Sequence, residues 1–393
     1  MSKRRCIRRI VQLIPDDDTT ARKRADQYGR VGVQITTFAF RRNHNKAYSL
    51  PDEPSVHVLG LLPKRRYFAR IPALISAVRT LADHAEELRS ADMIIARNLD
   101  LLWVMIVARA IAQSRSPLAY EIHDVARAVQ GKGLRARILR TLESLALRWV
   151  SMMILTSQAF VDQYFKHYHN FTIPYVIVEN KIYLESFFSR APGRKESWTS
   201  KSRAKPDFDP QHIRLGWIGG IRCSASAQIL RDVARRLGDR LEVHVHGRAN
   251  FCTEAELREF FAGTPNVKYH GTFNYPDDFI EIYRCDLNWC FDFSDSGQNT
   301  HWLLPNRIYE GGYFGVPALA ERGTATGNYV ETLCAGWTFE RSALADQITS
   351  FLSRMDAEIY LPVKRRCVDI MDDWRDTGQT INAVLRQAER LED

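Results

Sequence analysis

Apolar runs of strand length recur through the first half of the chain, at Ile7–Ile14, Val31–Phe40, Val56–Leu62, Met93–Ala96, Leu118–Ile122, Met152–Thr156 and Tyr175–Val178. The stretches between them carry apolar residues three and four apart. The clearest places Ile71, Leu74, Ile75, Val78, Leu81, Ala82, Ala85 and Leu88 on one face, a spacing that suits a helix and not a strand. Strand and helix in alternation predict a parallel sheet covered on both sides, so the first domain is α/β. The most apolar segment, Leu99 to Ala112, falls short of the roughly 20 residues a membrane span needs and is broken by Arg109, which predicts a buried helix.

The texture changes at Ser189–His212, which is polar, basic and without period, as expected of an interdomain linker. The alternation then restarts. Strands are predicted at Ile213–Ile218, Leu241–Val245, Val267–His270 and Asp286–Phe291, with helices between them, one opened by the capping box Thr253 to Glu256. The expected organisation is a first domain over 1–188, a linker over 189–212 and a second domain over 213–363, with a C-terminal helix in 364–393 packing back on the first. Two successive βα arrays predict two Rossmann-like domains facing across a cleft, with the ligand where the carboxyl ends of the strands meet.

Charge adds a constraint on partners. Residues 1–70 hold 16 Lys and Arg against 6 Asp and Glu, a surplus of +10 that leaves −1 for the rest of the chain. Such asymmetry suits a polyanion: nucleic acid, an anionic membrane face or a phosphorylated substrate. The amino terminus lacks the apolar core and cleavage site of a signal peptide, and the seven cysteines are scattered without a C-x-x-C pair, so a cytoplasmic protein with reduced thiols is expected. The pairs His244/His246 and His167/His169 have no further ligands nearby in sequence and are read as satisfied or exposed histidines rather than a zinc site.

The densest chemical signal is Leu-Pro-Asn-Arg-Ile-Tyr-Glu-Gly-Gly-Tyr-Phe-Gly-Val-Pro, residues 304–317. Pro305 suits the first turn of a helix, and Gly311, Gly312 and Gly315 allow close backbone approach. A helix start presents free N–H groups to an anion, and Arg307 adds a permanent cation. Glu310, one turn later, can accept hydrogen bonds from two neighbouring hydroxyls, the requirement for holding a ribose diol.

This segment resembles the P-x-K-x-x-E-x-x-x-x-G-x-P pattern of GT-B glycosyltransferases, especially glycosyltransferase family four. Asn306 and Arg307 fill its polar and basic slots and Glu310 its acidic slot, with Gly315 and Pro317 following. The resemblance implies that Glu310 binds the nucleotide ribose and that the Asn306–Arg307 turn faces the diphosphate. Other segments resemble the same family in the expected order. Leu-Gly-Trp-Ile-Gly-Gly-Ile-Arg (215–222) places Gly219, Gly220 and Arg222 near the diphosphate, and Val-His-Gly-Arg (245–248) adds Gly247 and Arg248. The segment 267–275 brings Tyr275 to the nucleobase, and Gly-Thr-Ala-Thr-Gly (323–327) adds Thr324 and Thr326 as a phosphate or sugar loop. In the first domain, Tyr-Glu-Ile-His-Asp-Val (120–125) resembles the strand end that supplies a cleft histidine, and Val-Glu-Asn-Lys (178–181) the segment leaving the acceptor domain. With Asp18–Arg24 near the first strand, the chain is similar to succinoglycan-type bacterial exopolysaccharide glycosyltransferases.

What the resemblance implies is transfer of a hexosyl group from a nucleoside diphosphate sugar, UDP-glucose favoured, to a polyprenyl-diphosphate-linked glycan. The family's E-x7-E pair is incomplete, because Trp302 stands eight residues before Glu310, and retention of configuration is therefore not implied. An inverting enzyme needs a general base, for which Glu121, His123, Asp124 and Asp16–Asp18 are the candidates. No cofactor or metal is expected; Asp16-x-Asp18 and Asp207-x-Asp209 match a D-x-D string only by position at the chain start and in the linker. The competing readings are a nucleotide-sugar epimerase on the same fold and, more distantly, a basic nucleic-acid-binding protein, against which stands the lack of any recognisable nucleic-acid motif. The run Lys64-Arg65-Arg66-Tyr67-Phe68-Ala69-Arg70 suggests peripheral contact with the inner face of the cell membrane.

Overall fold

The computed structural model describes residues 6–15, 19–41, 55–63, 67–184, 208–274, 278–295 and 299–391. Two compact units divide the chain: residues 1–179 together with 377–393, and residues 180–376. Residues 364–376 thus stay with the second unit, and the chain returns to the first only at 377. Most of the expected linker lies outside the described residues.

In the first unit, seven strands form one parallel sheet: β1 (Arg9–Ile14), β2 (Gln34–Arg41), β3 (Val56–Leu61), β4 (Met93–Arg97), β5 (Leu118–Ile122), β6 (Met152–Leu155) and β7 (Tyr175–Ile177). Their order is β3-β2-β1-β4-β5-β6-β7, with the direction of winding reversing between β1 and β4. β4, β5 and β6 are buried at every position, as strands covered on both faces must be. The predicted helix over Ile71–Leu88 is two, Tyr67–Asp83 and Ala85–Ser90, parted at His84. Helix Gln379–Ala388 puts Ile381, Val384 and Ala388 into one cluster with Ile10, Met93, Ile95, Met152 and Ile154.

Helix Leu134–Leu147 is fastened by its inner face. Glu143, buried, accepts hydrogen bonds from the hydroxyls of Tyr164 and Tyr120 and lies 3.1 Å from His169 Nε2, whose other nitrogen meets Ser144 Oγ at 2.7 Å. A buried carboxylate without such partners would cost several kcal/mol, of the order of what leaving an ion pair half broken costs, about 3–5 kcal/mol. The opposite face of this helix is bare: Leu134, Ile138, Leu142 and Leu145 are exposed, and Trp149, just beyond its end, is 61% exposed.

The second unit repeats the plan with six parallel strands: β8 (Ile213–Ile218), β9 (Leu241–His246), β10 (Val267–Gly271), β11 (Leu287–Trp289), β12 (Ala318–Glu321) and β13 (Gly336–Phe339). Their order is β10-β9-β8-β11-β12-β13, so winding again reverses, here between β8 and β11. In open sheets of this kind ligands bind outside the carboxyl ends of the strands beside the reversal. The turns after β8 and β9 and helix Asn306–Tyr313, which lies over β11 and β12, therefore occupy the position where a site is expected.

Candidate functional site

Helix Asn306–Tyr313 begins at Pro305, whose extended backbone (φ −71°, ψ 144°) turns the chain into the helix. No side chain caps it, which leaves first-turn N–H groups for an anion. Asn306 is exposed at this start. Arg307 is buried, its Nη1 donating to the Trp289 carbonyl at 3.4 Å while Asn288 Nδ2 donates to the Arg307 carbonyl at 2.7 Å. Glu310 is also buried, and Tyr283 Oη donates to its Oε2 at 2.8 Å. Burial, and then the neighbouring carboxylate, push the Tyr283 phenol well above its ordinary pKa, so it stays a donor. The sequence holds no cue for Tyr283 or Asn288, which arrive from two other segments.

The glycines of this helix allow a close approach by neighbouring side chains. A Cβ on Gly311 would meet Asn288 Nδ2 at 2.3 Å, and one on Gly312 the indole carbons of Trp374 at 2.4 Å. Both are small because the helix packs tightly on β11 and on the chain's later helices. Gly315 turns with φ +70°.

The strand-end turns are fastened to each other. Gly219 N donates to His246 O (2.9 Å), Gly247 N to Gly271 O (2.7 Å) and Ile221 N to Arg248 O (3.0 Å). Gly247, at φ +138°, lies so near Gly219 that a Cβ on it would come within 1.7 Å of the Gly219 carbonyl oxygen. Gly219 itself, at φ +109°, would have open space around a Cβ. Arg222 and Arg248 are exposed beside these turns, and Gly220 lies against Arg222 and Asn250. Thus Gly219, Gly220, Arg222, Gly247 and Arg248 form one edge, and Asn306, Arg307 and Glu310 one helix start. Tyr275 lies outside the described residues.

Thr324 and Thr326, expected in a phosphate or sugar loop, make hydrogen bonds within the unit. Thr324 caps helix Ala325–Leu333, accepting from Gly327 N at 3.0 Å and donating to Glu321 O at 2.7 Å, and Thr326 Oγ1 donates to Leu303 O at 3.1 Å. Both hydroxyl protons are committed to carbonyls inside the unit. Nearby, at the carboxyl ends of β12 and β13, Arg341 grips Glu321 with two bonds of 2.7 and 2.9 Å, lies over the Phe293 ring and reaches His301 Nε2 at 3.1 Å. That hydrogen-bonded pairing raises the pKa of the guanidinium, fixing its charge. Sequence reading missed this group, since its members are spread over residues 293–341.

In the first unit the carboxyl ends of β4 and β5 carry Arg97 and Glu121 side by side in register. Arg97 Nε and Nη2 lie 3.0 and 2.9 Å from Glu121 Oε2, His123 Nε2 lies 3.0 Å from Oε1, and Arg24 approaches Oε1 at 3.9 Å. Burial alone would raise the Glu121 pKa, but Arg97, His123 and Arg24 outweigh it and hold the carboxyl well below the usual range. A general base works best with a pKa near the working pH. Both carboxylate oxygens of Glu121, one of the expected catalytic residues, are engaged, one by Arg97 and the other by His123. A carboxylate only accepts, so the His123 nitrogen facing it carries a proton. Asp124 is exposed beside it. Asp16–Asp18 lie outside the described residues.

The two sheets with their reversal points define an α/β protein of the GT-B glycosyltransferase class, and the chain is a glycosyltransferase. It belongs to the glycosyl transferase 4-like family: the model of the glycosyl transferase 4-like domain matches residues 18–178, and succinoglycan biosynthesis protein ExoL of Rhizobium meliloti (strain 1021) is 30% identical over 351 residues, 89% of this chain and 85% of that protein. Among solved structures of the same fold, Anabaena HepE in complex with UDP and glucose superposes with a TM-score of 0.64 at 16% identity over 96% of this chain and 99% of that one. Sucrose-phosphate synthase from Thermosynechococcus elongatus gives a TM-score of 0.69 at 14% identity over 97% and 99%. Its place is with the glycosyltransferases of exopolysaccharide and glycan biosynthesis, which decides against the epimerase and nucleic-acid readings.

Proposed function

We propose that this enzyme transfers a glucosyl group from UDP-glucose to a lipid-linked glycan under construction at the cytoplasmic face of the membrane. The observation that carries the donor half is the start of helix Asn306–Tyr313, with uncapped N–H groups and a carboxylate one turn in, held in place by Tyr283. N–H groups and Arg222 meet the diphosphate, and Glu310 accepts from the ribose hydroxyls. HepE, of the same fold, is described with UDP and glucose. Charge developing on the departing diphosphate meets arginine, whose charge-assisted bonds contribute roughly 1.5–3 kcal/mol, against about 0.3–1 kcal/mol for a helix terminus, so the reaction proceeds without a metal or cofactor.

On the acceptor side, His123 is the functional group and Glu121 sets its tautomer, leaving Nδ1 to take a proton or hydrogen bond from a sugar hydroxyl. The same unit offers a surface for the membrane. Among the described residues no helix is long and apolar enough to cross one. Helix Leu134–Leu147, however, shows an exposed stripe of Leu134, Ile138, Leu142 and Leu145, continued by Trp149, with Lys132, Arg135, Arg137 and Arg148 exposed around it. Spacings of four, four, three and four residues keep the stripe on one side of the helix, the pattern of an interfacial helix on anionic lipid. Of the basic run expected to do this, Lys64–Arg66 lie outside the described residues and Arg70 is paired with Asp100 at 2.7 Å.

Calorimetry with a panel of nucleoside diphosphates and their sugars tests the donor, since the right ligand stabilises the fold by mass action. UDP-glucose binding more tightly than the GDP and ADP sugars, with transfer seen only when a polyprenyl-linked glycan is added, is the expected result. Tighter binding of another base would overturn the donor assignment.

A further inference from the structure

We propose that His244, His246 and His270 form a binding site for one divalent first-row transition ion, zinc above all, on the edge of the second unit's sheet. His244 and His246 alternate along β9, so both point to the same face. His270 stands on the neighbouring edge strand β10. Pairing between the strands runs Lys268 with His244 and Tyr269 with Val245, then jumps to Gly271 with His246. His270 is the extra residue of this bulge, and it comes to lie between the two histidines of β9. One ring nitrogen from each of the three lies within 4.8 Å of the other two.

The geometry suits coordination. His244 Nδ1 and His270 Nε2 are 3.1 Å apart, close to the ~3.3 Å between two imidazole nitrogens on one tetrahedral zinc at 2.0–2.1 Å. The His246 and His270 rings are stacked at 4.2 Å, so sharing an ion requires the side chains to turn, for which exposed His270 has room. His244 Nε2 lies 3.0 Å from Glu242 Oε2. The carboxylate can only accept, so that nitrogen carries the proton and Nδ1 turns its lone pair towards His270. A carboxylate behind a ligating histidine is the arrangement that orients ligands in metal sites. Glu242 is itself secured by Lys268.

Three imidazoles leave a fourth position for water, and nitrogen donors select zinc, nickel or copper over magnesium and calcium. The ion would clasp β9 to β10 one residue before the Gly247 turn. It takes no part in transfer, and the site does not depend on the donor assignment.

The test uses the untagged, chelator-treated full chain. Calorimetric titration with Zn²⁺ should show one equivalent bound, and Co²⁺ in its place should give the intense visible bands of a tetrahedral nitrogen site. His246→Ala and His270→Ala should each weaken binding at least about tenfold, and Glu242→Gln roughly ten- to a hundredfold. His270 is exposed, so its variant is expected to fold, which circular dichroism of the metal-free proteins checks. Zinc should raise the melting temperature of the parent but not of His270→Ala. Absence of stoichiometric binding, or equal binding by the parent and both histidine variants, would overturn the proposal, the second result placing the ion on other groups such as the exposed Cys6 and Cys334.

Discussion

Tyr283 Oη lies 2.8 Å from Glu310 Oε2, a hydrogen bond between two buried side chains that come from segments 27 residues apart. The bond fixes which way the Glu310 carboxylate turns. Glu310→Gln keeps the shape but loses the charge and one acceptor oxygen, so nucleotide affinity should fall by roughly 1–3 kcal/mol, about five- to over a hundredfold. A 2′,3′-dideoxyribose analogue should be much less sensitive to the substitution. Equal losses for both ligands would remove Glu310 from the ribose. Tyr283→Phe, which only loosens the carboxylate, should cost about 1 kcal/mol of affinity.

The two arginines of the donor side should separate by burial. Arg222 is exposed, and Arg222→Ala should lower turnover more than tenfold while leaving the melting temperature unchanged, as expected for charge placed where charge develops. Arg307 is buried against the Trp289 carbonyl, so Arg307→Ala should lower both turnover and stability. Steady-state kinetics beside thermal unfolding distinguishes them, and unchanged turnover in Arg222→Ala would take that residue out of the mechanism.

Glu121 makes the stability of the first unit depend on acid. Its folded pKa is depressed below the ordinary 4.5, so below that pH the unfolded chain binds the proton more readily. The contribution is complete above pH 4.5 and is lost as pH falls towards the folded value. Glu121→Gln leaves Arg97 and Arg24 facing an uncharged amide and should cost about 3–5 kcal/mol at neutral pH. Urea unfolding from about pH 6 to about pH 3 should then show a shallower acid slope in the variant than in the parent. Parallel slopes would mean that the Glu121 carboxyl titrates alike in both states.

Contact with membrane should depend on the bare stripe of helix Leu134–Leu147. Inserting one Ile-sized side chain into the interface contributes about 1.5–3 kcal/mol, so Ile138→Glu should weaken binding to anionic vesicles about tenfold or more. Ile138 is exposed and the substitution should leave folding intact. Flotation that ignores anionic lipid content, salt and this substitution alike would count decisively against the surface.

The fold was legible to the extent that hydrophobic period records it. Every strand expected in the two arrays is found within a few residues: β4, β5 and β6 are apolar nearly throughout because both faces are covered, whereas β9 and β10 show the two-residue alternation of strands with one face more open. The split of Ile71–Leu88 at His84 was not legible, since the apolar stripe runs on across the break. The helix start at Pro305 and Glu310 could be read from a contiguous motif. Tyr283, Asn288, Arg24 and Arg97 could not, because each reaches its partner across a parallel sheet or from a separate helix, and parallel connections scatter neighbours in space along the chain. Gly311 and Gly312 show the same limit: the residues are visible in the sequence, but Asn288 and Trp374, the side chains that forbid anything larger, are not.

The return of residues 377–391 to the first unit orders events during synthesis. The second unit, 180–376, is continuous, whereas the cluster under β1, β4 and β6 lacks Ile381, Val384 and Ala388 until the chain beyond Thr377 has left the ribosome. The unit begun first is therefore completed last, with Ile10, Met93 and Met152 awaiting their cover while some two hundred residues are made and folded behind it. A chain terminated and released near residue 376 would have its later unit whole and its earlier one open, the form most exposed to chaperones and proteases.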